Sequence, residues 1–198
     1  GATERQRLGG VSALGRDQVD LSDPKACSDA IWHHEPRAVI NAAAYTAVDR
    51  AEGEEALATI INGDAPAAMA GTCFALGIPL VHISTDYVFD GTGTVPWQPN
   101  DLTAPQCAYG RSKLAGEKAI RTSGVAHVIL RTSWVVSAHG RNFVKTILRL
   151  SDTRDALNVV ADQIGGATPA RDIAAACSSI AAHLIQDPSK SGTYHFGG

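Results

Sequence analysis

The chain has 198 residues, 44% of them hydrophobic, with a formal net charge of −3, which suits one sizeable packed domain and gives no general draw toward nucleic acid or an anionic membrane. No apolar run reaches the roughly 18 residues of a bilayer-crossing segment. Cys27, Cys73, Cys107 and Cys177 are scattered, with no C-x-x-C pair and no histidine at ligand spacing, so neither a disulfide framework nor a metal site is expected and the thiols read as those of a cytoplasmic protein.

The start, "GATERQRLGG", lacks the basic, apolar and small-residue layout of a signal peptide. Short β-branched runs then alternate with Ala-rich segments of helical period. Strand Val11–Leu14 is followed by a helix from Lys25 to His34, opened by Asp23 and Pro24. Strand Arg37–Asn41 leads to helices Ala51–Asn62 and Ala65–Leu76, the second closed by Gly77. Strand Pro79–Thr85, helix Ala108–Thr122, strand His127–Ser133, helix Phe143–Leu150, strand Leu157–Val160, helix Arg171–Ile185 and strand Gly192–Phe196 complete the pattern. Such alternation predicts βαβ units, hence an α/β doubly wound parallel sheet of Rossmann-like type.

Ligands of open parallel sheets bind outside the carboxyl ends of the strands. Polar clusters follow three of them: "NAAAYTAVD" after Asn41, "STDYVFDG" and "RTSWVVSAHG". In "AYGRSKLAGEKAI" the four-residue spacing puts Tyr109 and Lys113 on one helix face. A cation near a phenol favours tyrosinate and lowers its pKa. With the Thr85 hydroxyl at its strand's mouth, the three groups suit carbonyl reduction, where one group polarises the oxygen, one protonates it and one tunes the second. Asp49, Arg50 and Glu52 read as a solvated helix start, His33 and His34 as an exposed helix end, and His139 as a loop residue.

The segments "INAAAYTAVDRAE", "VHISTDYVFDGTG", "YGRSKLAGE", "RTSWV", "GRNFVKTILRL" and "VVADQIGGATPARDIA", in this order, resemble the dTDP-4-dehydrorhamnose reductases, a family of extended short-chain dehydrogenase/reductases. The resemblance runs from about Leu14 to the last residues. It implies NADPH-dependent reduction of the C4 keto group of dTDP-4-dehydro-L-rhamnose to dTDP-L-rhamnose. It puts the family's Thr/Ser, Tyr, Lys set on Thr85, Tyr109 and Lys113, with Lys113 also on the nicotinamide ribose. Asn41, Ala42 and Ala43 fall along the cofactor, Asp20 and Leu21 beside the adenine, and Thr46, Val48, Asp86, Tyr87 and Trp134 near the sugar nucleotide. A homodimer stays open.

Cofactor choice turns on "ALGRDQVDL", where Gly15 stands in the place of a discriminating acid and the Arg16 guanidinium suits a 2′-phosphate. NADPH is expected, with NADH open because Asp17 offers a ribose acceptor. Sugar-nucleotide 4,6-dehydratases use a Thr-Asp-Glu run where this chain has "STDYVF", so Tyr87 argues against that reaction. A non-catalytic regulatory subunit resembling methionine adenosyltransferase β, or another nucleotide-sugar reductase or epimerase, is the alternative.

Members of the family open with a strand and a G-x-x-G-x-x-G turn and end in a smaller substrate-binding region. Residues 1–198 therefore read as an incomplete NADP-binding domain, with 161–198 leading into the substrate-binding part. If "GAT" belongs to the nucleotide turn and "ERQRL" to the end of the next helix, Thr3 and Glu4 are expected roughly 15 Å apart rather than the about 3.8 Å of bonded neighbours.

Overall fold

In a computed structural model of the chain, residues 10–140, 142–159 and 163–198 are described. The expected break between Thr3 and Glu4 lies outside them. Four strands, β1 (Val39–Asn41), β2 (Leu80–Thr85), β3 (His127–Thr132) and β6 (Gly192–His195), form one sheet in the order β1-β2-β3-β6. Every pairing is parallel. A second ladder joins the two-residue strands β4 (Val135–Val136) and β5 (Thr168–Pro169).

Because side chains alternate along a strand, the central strands feed two separate cores. Leu80 and Ile129 face one side, packed with Cys27 and Ile31 of α1 (Pro24–His34), Ala65, Met69, Ala70 and Cys73 of α4 (Ala65–Leu76), and Ile120 of α5 (Ala108–Thr122). Val81, Val128 and Leu130 face the other, against Ile173, Cys177, Ala181 and Leu184 of α7 (Ala170–Gln186). Helices on both faces make the sheet doubly wound. The caps follow the sequence signals: Asp23 accepts from the Ala26 amide at 3.1 Å to open α1, and Gly77 ends α4 at φ 66°, where glycine pays no Cβ penalty.

Three expectations fail. Val11–Leu14 forms no strand, because an extended segment becomes one only beside a hydrogen-bonding neighbour and this one pairs with none of the described strands. Residues 157–159 are likewise irregular, and Val160 lies outside the described residues. The helix expected over Ala51–Asn62 is instead α2 (Val48–Ala51), α3 (Glu55–Thr59) and a π-helical turn, Ile60–Asp64. Turn bonds from the Gly53 amide to Arg50 and from the Glu54 amide to Ala51 interrupt the ladder. The π turn aims the Asn62 side chain at the Tyr45 backbone and the Ser112 hydroxyl, each bond between 2.9 and 3.0 Å.

The π turn and α5 meet at Gly116, where a Cβ would overlap the Asn62 carbonyl oxygen. Gly116→Ala should therefore push two backbones apart and cost about 1–3 kcal/mol, the range for overpacking. Urea unfolding of the two proteins reads that difference directly. On α6 (Phe143–Ser151), Phe143, Val144 and Leu148 remain exposed. Among the described residues no helix is long and apolar enough to cross a membrane.

Candidate active site

β2 and α5 build the site. Thr85 ends β2 in extended conformation, and its hydroxyl accepts from the Tyr87 amide at 3.2 Å to open the 3-10 turn Asp86–Val88. The N-terminus of α5 is held by Cys107, whose sulfur accepts from the Gly110 amide at 3.4 Å, and by Glu52, whose carboxylate accepts from the Ala108 amide at 2.7 Å. Glu52 is thus a cap on α5, not only a solvated acid. Gly110 lets α5 lie against the turn, since a Cβ there would overlap the Tyr87 carbonyl oxygen. The close approach brings the Tyr109 phenol beside the Thr85 hydroxyl and sets its ring edge-on to Tyr87 at 5.5 Å.

One turn along α5, Lys113 is only 2% exposed. Its ammonium nitrogen reaches the Ile83 carbonyl at 2.7 Å and the His82 Nε2 at 3.2 Å. Burial brings the Lys113 pKa down to about 8, against an opposing pull from Glu117. The Tyr109 phenol is pushed up to about 12, chiefly by burial, although the neighbouring Thr85 hydroxyl works the other way. The expectation that Lys113 lowers the phenol's pKa is therefore corrected. Desolvation outweighs any help from the cation, whose N–H groups are directed at β2.

Asn41 ends β1 buried, with its Oδ1 accepting from the Ala43 amide at 3.1 Å and its Nδ2 at 3.1 Å from His82 Nδ1. Ala42, Ala43 and Thr46 are exposed on the segment leaving β1, and half-buried Val48 starts α2. Asp86 accepts from the Thr85 hydroxyl at 3.1 Å and lies beside Ser133, while loss of surrounding water raises its pKa. Trp134 follows Ser133 at the mouth of β3 in the left-handed region, φ 50°, with its ring edge-on to Phe143 at 6.0 Å. A bulky residue held at positive φ is strained, and such strain collects at ligand sites. Arg16 and Asp20 lie apart from this group, paired across 3.4 Å on an exposed turn, and Leu21 packs against the α1 and α4 core.

Sequence reasoning passed over His82, Ser84, Glu117 and Arg131. Their signal is alternation: His82 and Ser84 interrupt the apolar β2 on one face, opposite Lys113 and Glu117 one turn apart on α5. Ser84 donates to Glu117 at 2.6 Å, and Arg131 grips the same carboxylate through two bonds of 2.9 and 2.8 Å. The Arg131 guanidinium also stacks over Phe89, 4.9 Å from the ring centre.

A family model described as "RmlD substrate binding domain" matches residues 2–198. The chain belongs to the RmlD substrate binding domain family. It is 46% identical over 190 residues to the dTDP-4-dehydrorhamnose reductase of Sinorhizobium fredii, covering 95% of this chain and 64% of that protein. The Salmonella typhimurium enzyme of the same name is 44% identical over 177 residues, covering 89% of this chain and 59% of that protein. The chain thus spans about three-fifths of the length of these curated relatives. The crystal structure of the Clostridium acetobutylicum dTDP-4-dehydrorhamnose reductase superposes with a TM-score of 0.85 at 35% identity, over 98% of this chain and 68% of that one.

Proposed function

We propose that this protein reduces the C4 keto group of dTDP-4-dehydro-L-rhamnose with NADPH, giving dTDP-L-rhamnose. The observation that carries the reading is the Tyr109 phenol beside the Thr85 hydroxyl at the carboxyl end of a parallel sheet, with buried Lys113 one turn along the same helix, in a chain so close to named reductases. The residues fit a dinucleotide's nicotinamide half: Lys113 has a third N–H beyond its two partners, and Thr132, paired with Thr85 across the sheet, buries a hydroxyl with no hydrogen-bond partner. Asn41, Ala42, Ala43, Tyr109 and Lys113 would hold it. A relative from Bacillus anthracis, 36% identical with a TM-score of 0.83 over 93% of this chain and 64% of that one, was solved in complex with NADP.

When bound, the reduced nicotinamide supplies the hydride. Tyr109, protonated at neutral pH with its pKa near 12, keeps its proton until a stronger base forms. The oxygen at C4 becomes that base as it gains alkoxide character, and the phenol hands it the proton. Thr85 hydrogen-bonds the same oxygen, polarising the carbonyl beforehand. Asp86, Tyr87, Trp134, Thr46 and Val48 orient the nucleotide sugar. Arg16 reaches the 2′-phosphate, which its weak surface pairing with Asp20 leaves it free to do.

Loss of NADPH absorbance on adding dTDP-4-dehydrorhamnose tests the function, and a protein that binds both but consumes neither would defeat it. Arg16→Ala should raise the KM for NADPH about tenfold, the worth of one charge-assisted hydrogen bond, and leave the KM for NADH unchanged. Equal effects on both cofactors would place Arg16 elsewhere.

A further inference from the structure

His82 lies between two residues that the proposed site uses, and its own hydrogen bonds cannot all be made in one protonation state. The imidazole is fully buried, facing Lys113 through Nε2 at 3.2 Å and Asn41 through Nδ1 at 3.1 Å. Asn41 Oδ1 is taken by the Ala43 amide at 3.1 Å, so Asn41 presents its NH₂ to His82 and Nδ1 must accept. A neutral imidazole then carries its proton on Nε2. That N–H points at the Lys113 nitrogen, and an ammonium has no lone pair to receive it.

We infer that His82 is a positioning residue whose tautomer is coupled to the charge of Lys113. With Lys113 a neutral amine, Nε2–H donates to it, Lys113 donates to the Ile83 carbonyl and Asn41 donates to Nδ1. When Lys113 takes up a proton, Nε2 must accept, the imidazole proton moves to Nδ1 and the Asn41 amide turns over to offer Oδ1. The freed Ala43 amide belongs to an exposed residue and goes to water. No net charge enters the ring in either state. Desolvation and the Lys113 charge both hold the His82 pKa well below the usual histidine range, in keeping with a ring that stays neutral.

The neighbours are few. Glu117 and Tyr109 lie one turn to either side of Lys113 on α5; β2 contributes His82 and the neutral Ile83 carbonyl, and β1 the neutral Asn41. The Glu117 charge favours the ammonium, and Arg131 of β3 is engaged by Glu117. The device therefore links the charge beside Tyr109 to the orientation of an amide at the end of β1.

Nitrogen-15 spectra of the histidine-labelled protein without nucleotide test the coupling, with the His82 signals assigned by their loss in His82→Gln. The inference expects a neutral ring that passes from the Nδ1–H to the Nε2–H tautomer as pH rises, with a midpoint near the Lys113 pKa of about 8. One tautomer throughout, or a ring that becomes cationic, would overturn it. A second arm rests on the reductase reading. In His82→Gln the side-chain carbonyl can accept from the ammonium, so Lys113 holds its proton longer and the basic limb of the kcat profile moves to higher pH. His82→Leu should lower kcat about tenfold, as expected for one lost buried hydrogen bond. A merely structural histidine would lower kcat in both variants without moving the limb, and that result also counts against the inference. If no variant or parent turns over, the reductase reading fails while the spectra still decide the coupling.

Discussion

Tyr109→Phe should lose about 10²- to 10⁴-fold in kcat, the contribution of one positioned general acid, while its unfolding temperature and its affinity for NADPH stay close to the parent's. The substitution removes one oxygen from a half-buried ring whose edge-on contact with Tyr87 is kept. Thr85 keeps the Tyr87 amide and the Asp86 carboxylate, at 3.2 and 3.1 Å. The nearby Tyr87 is no direct substitute, its ring being 5.5 Å from that of Tyr109. Turnover close to the parent's would remove Tyr109 from its role.

The second large effect concerns stability. Glu117→Ala should cost about 3–5 kcal/mol, as when one partner of a buried ion pair is removed, and lower the unfolding temperature by roughly 6–20 °C. It strands Arg131, which has the bidentate grip on Glu117 and, among the described residues, the Pro99 carbonyl at 3.2 Å and His195 at 3.5 Å as further polar partners. It also leaves the Ser84 hydroxyl without its acceptor. Arg121→Ala is the contrast: its bond to Glu117 at 3.0 Å comes from a side chain at the surface, and such pairs are worth about 0–1 kcal/mol. Equal losses for the two variants would contradict the buried node.

The same node sets a pH dependence. Burial alone raises the Glu117 pKa, but hydrogen bonds from Arg131 and Ser84 and the charges of Arg131 and Arg121 hold it below the ordinary glutamate value. With the folded value lower, the unfolded chain takes up its proton first as pH falls. The stability due to Glu117 is complete above the ordinary glutamate pKa and is lost as pH drops through the folded one. The gap between parent and Glu117→Ala should narrow in acid.

Local chemistry explains which parts were legible in the sequence. Helices α4 and α5 stand where the sequence puts them, with Gly77 marking the end of α4. The placement of Tyr109 and Lys113 on one helix, with Thr85 at the end of the preceding strand, was legible because an i,i+4 pair needs only one helix and the strand before it ends in a hydroxyl. Val11–Leu14 misled because β-branching favours an extended chain but cannot supply a neighbouring strand. His82 and Glu117 stayed hidden because each is polar inside an apolar run, and its meaning depends on what lies across the α5–β2 interface. The Trp134 backbone strain has no signature in residue type at all. Its left-handed φ comes from the turn between β3 and the short ladder of β4 and β5.

The central claim, hydride delivery to the sugar's C4, is tested most directly with NADPH deuterated at the transferring carbon. Reduced in its presence, dTDP-4-dehydrorhamnose should yield dTDP-rhamnose carrying one deuterium at C4, with Tyr109→Phe giving the same label at a far lower rate. Product unlabelled at C4, or NADPH oxidised with no deuterium in the sugar, would contradict the account.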